Sequence, residues 1–346
     1  MRILAKNGLL FGVLVVSFGL IGCAGSAPAP AAPFGMGPQT HRIANLHSWI
    51  RDTRADERLY VAERNQGGVY IYSWRQGRLI GEIYSGLVQP EGICADTAQN
   101  VYVVDSYATK IYEFTSDGLG PIKTWVDPYG YPWACAIDPV TGTLAVSNSS
   151  DFGSKSDAGG LVFWIDGSGS PVEYKYSGVA GLNWMGYDTF SRLLLEGTGV
   201  GTPPYFFLGE VLRQKPSELY ELYFPPSVPF NCESGIQWDG KYMTVAGCSA
   251  IYQVTVSRGS YPKLEIVGTT TLSVGCCQFS DYYIGHHNSQ GSKLVVSGTH
   301  LGSAFQCPTA YFLYPAGGMA TKLLTQDYCD LDPQGVVVVK AARSKE

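Results

Sequence analysis

Along the chain, apolar and polar residues alternate in short runs broken by Gly, Pro, Asn and Asp, the pattern of many brief β-strands rather than of helices. From about residue 58 one unit recurs. A turn residue opens a short apolar stretch that closes on Asp: PEGICAD (Pro90 to Asp96), YPWACAID (Tyr131 to Asp138), GLNWMGYD (Gly181 to Asp188), ESGIQWD (Glu233 to Asp239) and VGCCQFSD (Val274 to Asp281). A second strand follows, as in LYVAE (Leu59 to Glu63), VYVVD (Val101 to Asp105), LAVSN (Leu144 to Asn148), LLLEG (Leu193 to Gly197), YMTVAG (Tyr242 to Gly247) and LVVSG (Leu294 to Gly298). Third strands come next, including VYIYS (Val69 to Ser73), KIYEF (Lys110 to Phe114), ELYELYF (Glu218 to Phe224) and AYFLYP (Ala310 to Pro315). PIKTWV (Pro121 to Val126) is an outer fourth strand.

Openings recur every 40 to 60 residues or so, roughly the period of a four-stranded propeller blade. One such sheet has two apolar faces and cannot cover them alone. Packing sheets side by side around an axis covers both. The prediction is therefore an all-β fold, a six-bladed β-propeller of four-stranded antiparallel blades, as a single domain over residues 41–346. Seven blades is the alternative. The tail PQGVVVVK (Pro333 to Lys340) would supply the innermost strand of the first blade and close the ring, with HSWIRD (His47 to Asp52) competing for that place. Two long excursions, DFGSKSDAGG (Asp151 to Gly160) and GTGVGTPPYFFLGEVLRQKP (Gly197 to Pro216), are expected as loops between second and third strands.

Composition agrees with strands and turns. Charged residues are only 15%, too few for long solvent-laced helices, while 42 Gly and 23 Tyr suit tight turns and pleated surfaces. The net charge of −5, without a basic cluster in the body, argues against a nucleic-acid partner. Arg2 and Lys6 precede an uncharged apolar run from Leu9 to Ile21, too short for the roughly 20 residues of a spanning helix and suited to a signal-peptide core. The run ends in Leu20-Ile21-Gly22-Cys23, which resembles the lipobox of bacterial lipoproteins. That resemblance implies loss of residues 1–22, lipid on Cys23, and a partner membrane reached through it. Ala24, where an inner-membrane retention signal would have Asp, removes that signal. Residues 23–40, uncharged over SAPAPAAPFGMGP and rich in Pro, read as a semi-rigid tether. The expected setting is the extracytoplasmic side of a bacterial envelope, periplasm or outer membrane, with the domain monomeric.

The phrase PEGICAD…NVYVVD…KIYEF (Pro90 to Phe114) resembles the NHL-repeat and gluconolactonase-like calcium-dependent-lactonase superfamily, over roughly residues 58 to 340. The resemblance implies a Ca²⁺ ion on the axis, held by Glu, Asn and Asp at the starts of inner strands. The corresponding positions are Glu91, Trp133, Asn183, Glu233 or Ser234, Cys276 and Gln334. Glu91, Asn183 and Glu233 have ligand chemistry, Trp133 and Cys276 do not, and no Asp falls in the pattern. A metal-dependent lactonase-like hydrolase is therefore the runner-up. The leading expectation is a non-enzymatic module that binds a small molecule or envelope protein through its Cys-rich loop face, with Trp133, His300, Tyr205 and Phe206 as contacts. His286 and His287 are adjacent on a strand, so they point apart and do not chelate one ion. No G-x-S-x-G, P-loop or dinucleotide fingerprint is present.

Apart from Cys23, eight cysteines remain, an even set that favours disulfides in an exported protein. Starts of first strands and ends of second strands share one propeller face, so Cys232 and Cys248 are expected to pair. Cys276 and Cys277 would each bridge one of Cys307 and Cys329, in an order left open. Cys94 and Cys135, at like points on adjacent inner strands, either pair across a blade seam or remain buried thiols.

Overall fold

Short β-branched and aromatic runs such as Val101-Tyr102-Val103-Val104 become strands because both faces of such a run find apolar partners on neighbouring sheets. The computed structural model describes residues 48–50, 56–84, 86–149, 159–164, 170–200, 205–225, 228, 235–257, 262–273, 278–286, 293–300, 309–324 and 332–341. Side chains at 48–50, 278–280, 286 and 293–300 are outside that description. The signal segment, Cys23, the tether and Cys232, Glu233, Cys276, Cys277, Cys307 and Cys329 also lie outside the described residues.

The described strands form six sheets. In the first, β1 (Ser48–Ile50), β2 (Glu57–Glu63), β3 (Gly68–Ser73) and β4 (Leu79–Ile83) join the last strand, β26 (Pro333–Lys340), in the order β1-β4-β3-β2-β26. The second holds β5 (Pro90–Ala95), β6 (Val101–Asp105), β7 (Lys110–Phe114) and β8 (Lys123–Val126). The third holds β9 (Tyr131–Ile137), β10 (Leu144–Ser149), β11 (Gly160–Trp164) and β12 (Val172–Lys175). The fourth holds β13 (Val179–Tyr187), β14 (Arg192–Gly199), β15 (Tyr205–Leu212) and β16 (Lys215–Leu222). The fifth holds β17 (Ile236–Trp238), β18 (Met243–Ala246), β19 (Ala250–Val256) and β20 (Leu264–Ser273). In the sixth are β21 (Gln278–His286), β22 (Lys293–His300), β23 (Thr309–Tyr314) and β25 (Lys322–Leu324), while β24 (Gly318–Met319) runs parallel beside β20.

The inner strands adjoin in sequence, β26 to β5, β5 to β9, β9 to β13, β13 to β17, β17 to β21, and β21 back to β26. Each pair of neighbouring sheets shares an apolar layer, for instance Ile71 and Val103 between the first and second, or Leu59 and Tyr311 between the first and sixth. This is an all-β propeller arrangement. Glycine lets the inner strands converge: a Cβ on Gly92 would stand 2.5 Å from Ala134 Cα, and one on Gly335 would stand 2.6 Å from Ile93 N. The closing Asp of the repeat is a turn device. Its carboxylate accepts the backbone N–H two residues on in Asp138 (Val140, 2.9 Å), Asp188 (Phe190, 2.7 Å) and Asp239 (Lys241, 2.8 Å).

Four expectations change. HSWIRD does not take the inner place: β1 pairs with β4 at the outer edge of the first sheet, and β26 pairs with β2. With both segments in one sheet, no seventh blade forms among the described residues. The expected long loop Gly197 to Pro216 is mostly a hairpin of β14 and β15, so the third strand is Tyr205–Leu212 and ELYELYF lies largely in the fourth strand, β16. The Gly and aromatic residues there are complementary, since Gly199 faces the Tyr205 ring and Gly197 the Phe207 ring. Lastly, Asp281 does not close its strand. It sits within β21, which continues to His286, so the hairpin falls later than the Asp signal suggests.

Candidate functional site

The starts of the inner strands form one mouth of the axis. Glu91, second residue of β5, is fully buried. Arg64 Nη1 donates to its Oε1 at 3.3 Å and the Gln89 amide donates to the same oxygen at 3.0 Å. Arg64 Nε also donates to Asp332 Oδ2 at 2.7 Å, and Gln334 Nε2 donates to Asp332 Oδ1 at 2.6 Å. The Asp332 backbone N–H in turn donates to Glu63. Tyr131 adds its hydroxyl to Gln89 Oε1 at 2.8 Å. Residues from the first, second and third sheets are thereby tied by one polar network.

Burial dominates the acidity of this network. It pushes Glu91 up to about 7, against the pull of the Arg64 guanidinium, and Glu63 up to about 8. Arg64 stays charged: its own desolvation is outweighed by Glu91 and Asp332 together.

Among the described residues no Ca²⁺ cage is built around Glu91, and the expected ligand Glu233 lies outside them. The place beside Glu91 Oε1 is taken by a guanidinium, and no group of three or more His, Cys, Asp or Glu among the described residues is arranged to hold a metal ion. Asn183, in β13, is buried, and its backbone carbonyl accepts from Ser147 Oγ at 2.5 Å; Glu91's hydrogen-bond neighbours are Arg64 and Gln89 instead. Trp133 is likewise no surface contact. It is buried in β9, packed with Trp184 and Ala134. Tyr205 and Phe206 are exposed, at 43% and 40%, on the hairpin edge of the fourth sheet, and His300 ends β22.

A second feature of the axis has no strong sequence signal. A cavity of about 450 Å³ occupies the later halves of the inner strands, and all six contribute: Ile93, Ala134, Trp184, Ile236, Asp281 and Val336. It lies along the strands beyond the mouth that holds Glu91. Its wall includes Cys94 and Cys135, which are bonded to each other with Cα atoms 5.7 Å apart, across the seam between the second and third sheets. Cys248 is disulfide-bonded as well, and its expected partner Cys232 lies outside the described residues. Asp281 is the one carboxylate on the cavity wall among the described residues. Its Oδ2 accepts the Val336 N–H at 3.0 Å, and burial raises its pKa to about 8, so near neutrality it is largely a neutral acid. The available signal was an acid inside an inner strand, facing Gly235 just before β17.

Solved structures share this arrangement. The β-propeller domain of Swd1 from Myceliophteria thermophila aligns at 12% identity and TM-score 0.50, covering 80% of this chain and 85% of that one. The fold is a β-propeller. A chain of the nidogen/laminin complex aligns at 9% identity and TM-score 0.58, over 82% of this chain and 99% of that one. A protein of unknown function from Bacteroides caccae aligns at 11% and 0.56, over 82% and 99%. At these identities the likeness concerns the fold alone. No protein-family model and no curated protein matches the sequence.

Proposed function

We propose that this chain is an exported, lipid-anchored, six-bladed propeller that binds a small molecule of mixed polarity in its axial cavity and performs no metal-dependent chemistry. The observation that carries this reading is the contrast along the axis. The mouth that would hold a catalytic ion is filled by the Glu91–Arg64–Asp332 network, whereas the cavity beyond it is open space walled by apolar and polar groups alike, among them Trp184, Gln237 and the neutral acid Asp281. Pockets of this kind bind ligands through apolar contact, with a few polar groups setting orientation. Six sheets with inner strands that adjoin in a closed cycle support the blade number. The anchor rests on the lipobox-like Leu20 to Cys23. Binding shifts from the expected Cys-rich face to the axis interior.

One observation favours the lactonase-like alternative: Glu91 Oε2 is buried with no hydrogen-bond partner among the described residues. The two readings separate with the full chain in detergent, Ca²⁺ and a panel of lactones and aryl esters. Hydrolysis at the uncatalysed rate is expected; calcium-dependent turnover that disappears in Glu91→Gln overturns the binding reading. In the same preparation Cys23→Ser should leave the membrane fraction, and its retention at normal levels would remove the anchor.

A further inference from the structure

A second concavity lies between the third and fourth sheets and shares Tyr187 with the wall of the axial cavity. We propose that it is a separate binding site for a small amphipathic carboxylate. Its volume is about 360 Å³. That is within the range of small-molecule pockets and equals the space of roughly a dozen waters. Phe163, Tyr174, Leu193, Val211 and Pro216 give it apolar walls. The wall is firmly built: Tyr174 stands edge-on to Phe163 with centroids 5.7 Å apart, and the Tyr176 hydroxyl donates to the Pro216 carbonyl at 2.7 Å, joining the two sheets beside the groove.

Three polar side chains decide the chemistry. Asp138 lines the groove, yet its carboxylate is already engaged. Oδ1 accepts from Val140 N at 2.9 Å and the Ser191 hydroxyl at 2.7 Å, and Oδ2 accepts the Thr141 hydroxyl at 2.8 Å. Only Oδ2 retains acceptor capacity, and the charge of Asp138 keeps an anionic ligand away from that end. Arg213 stands in the turn between β15 and β16, exposed and without an ion pair among the described residues. Tyr187 lines the groove as well, within electrostatic reach of both Asp138 and Arg213, and its hydroxyl makes no hydrogen bond among the described residues. Burial raises the phenol far above its ordinary range, so it remains a donor. One cation and one unused O–H donor beside an apolar wall match a carboxylate joined to an apolar body.

The test uses the full chain in detergent, titrated calorimetrically with 4-phenylbutyrate and with its uncharged amide. Saturable binding of the carboxylate is expected, weakened about tenfold by Arg213→Gln, as loss of one charge-assisted contact implies. Tyr187→Phe should weaken it several-fold. The amide should bind the parent chain and Arg213→Gln alike, and Asp281→Asn, in the axial cavity, should leave carboxylate binding unchanged. Because Arg213 is an exposed turn residue, its substitution leaves the fold intact. Absence of saturable binding, equal affinity in the parent and Arg213→Gln, or loss of binding in Asp281→Asn would each overturn the proposal.

Discussion

A chain ended after Asp332, and so without β26, is expected to lose cooperative unfolding altogether. β26 is the innermost strand of the first sheet, paired with β2 from Glu57↔Lys340 to Glu63↔Pro333. It adjoins β5 on one side and β21 on the other. Val336 packs with the layer shared by the first and sixth sheets, and Val337 and Val339 with the layer shared by the first and second. Removing three buried valines alone costs about 1.5–3 kcal/mol each, which already approaches the roughly 5–15 kcal/mol total of an ordinary domain. The truncation also leaves the β2 edge unpaired and opens both seams. Urea denaturation followed by circular dichroism checks this: a broad, shallow transition is expected, whereas a steep one near the parent midpoint would show that the C-terminal strand does not close the ring. Of the described strands, removal of residues 1–50 takes away the outer-edge β1 alone, and it should shift the midpoint little.

Arg64→Ala is expected to destabilise the fold by about 3 kcal/mol at pH 9, because it leaves the buried, ionised Glu91 carboxylate without its cation. The direction with pH follows from the raised pKa values. Glu91 and Glu63, at about 7 and about 8, hold protons in the folded chain that an unfolded chain would already have released. Their contribution is fully present below the unfolded value near 4.5 and is lost as pH rises through 7 to 8. Since Arg64 lowers the Glu91 value, its removal raises that value further, and the penalty should be larger at pH 9 than at pH 5. Adding Glu91→Gln should recover much of the loss, because a neutral amide needs no counter-ion. Stability of Arg64→Ala within about 0.5 kcal/mol of the parent at pH 9, the size of an ordinary surface change, would contradict the network.

Much of the architecture was legible from local chemistry. Asp138, Asp188 and Asp239 signalled hairpin turns because a carboxylate two residues before a backbone N–H makes that turn by itself. The same rule misled at Asp281, whose Oδ2 is used by Val336, 55 residues away, and not by its own turn. Gly197, Gly199 and the two prolines at 203 and 204 suggested a loop. The structure instead uses those glycines as seats for aromatic rings across β14 and β15, a reason visible only once the strands are paired. Glu91 stood out from the repeat, but its meaning depended on Arg64, 27 residues away, and through Arg64 on Asp332, a further 268 from it. The axial cavity had no linear signature beyond the acid within β21, because each inner strand supplies only a few of its lining residues.

The character of the mouth is decided most directly by calorimetric titration of Ca²⁺ into the full chain in detergent, beside Glu91→Gln. With Arg64 as the counter-ion of Glu91, the parent and the variant should both give only heats of dilution. Saturable calcium binding by the parent, lost in Glu91→Gln, would contradict that pairing and restore the metal site.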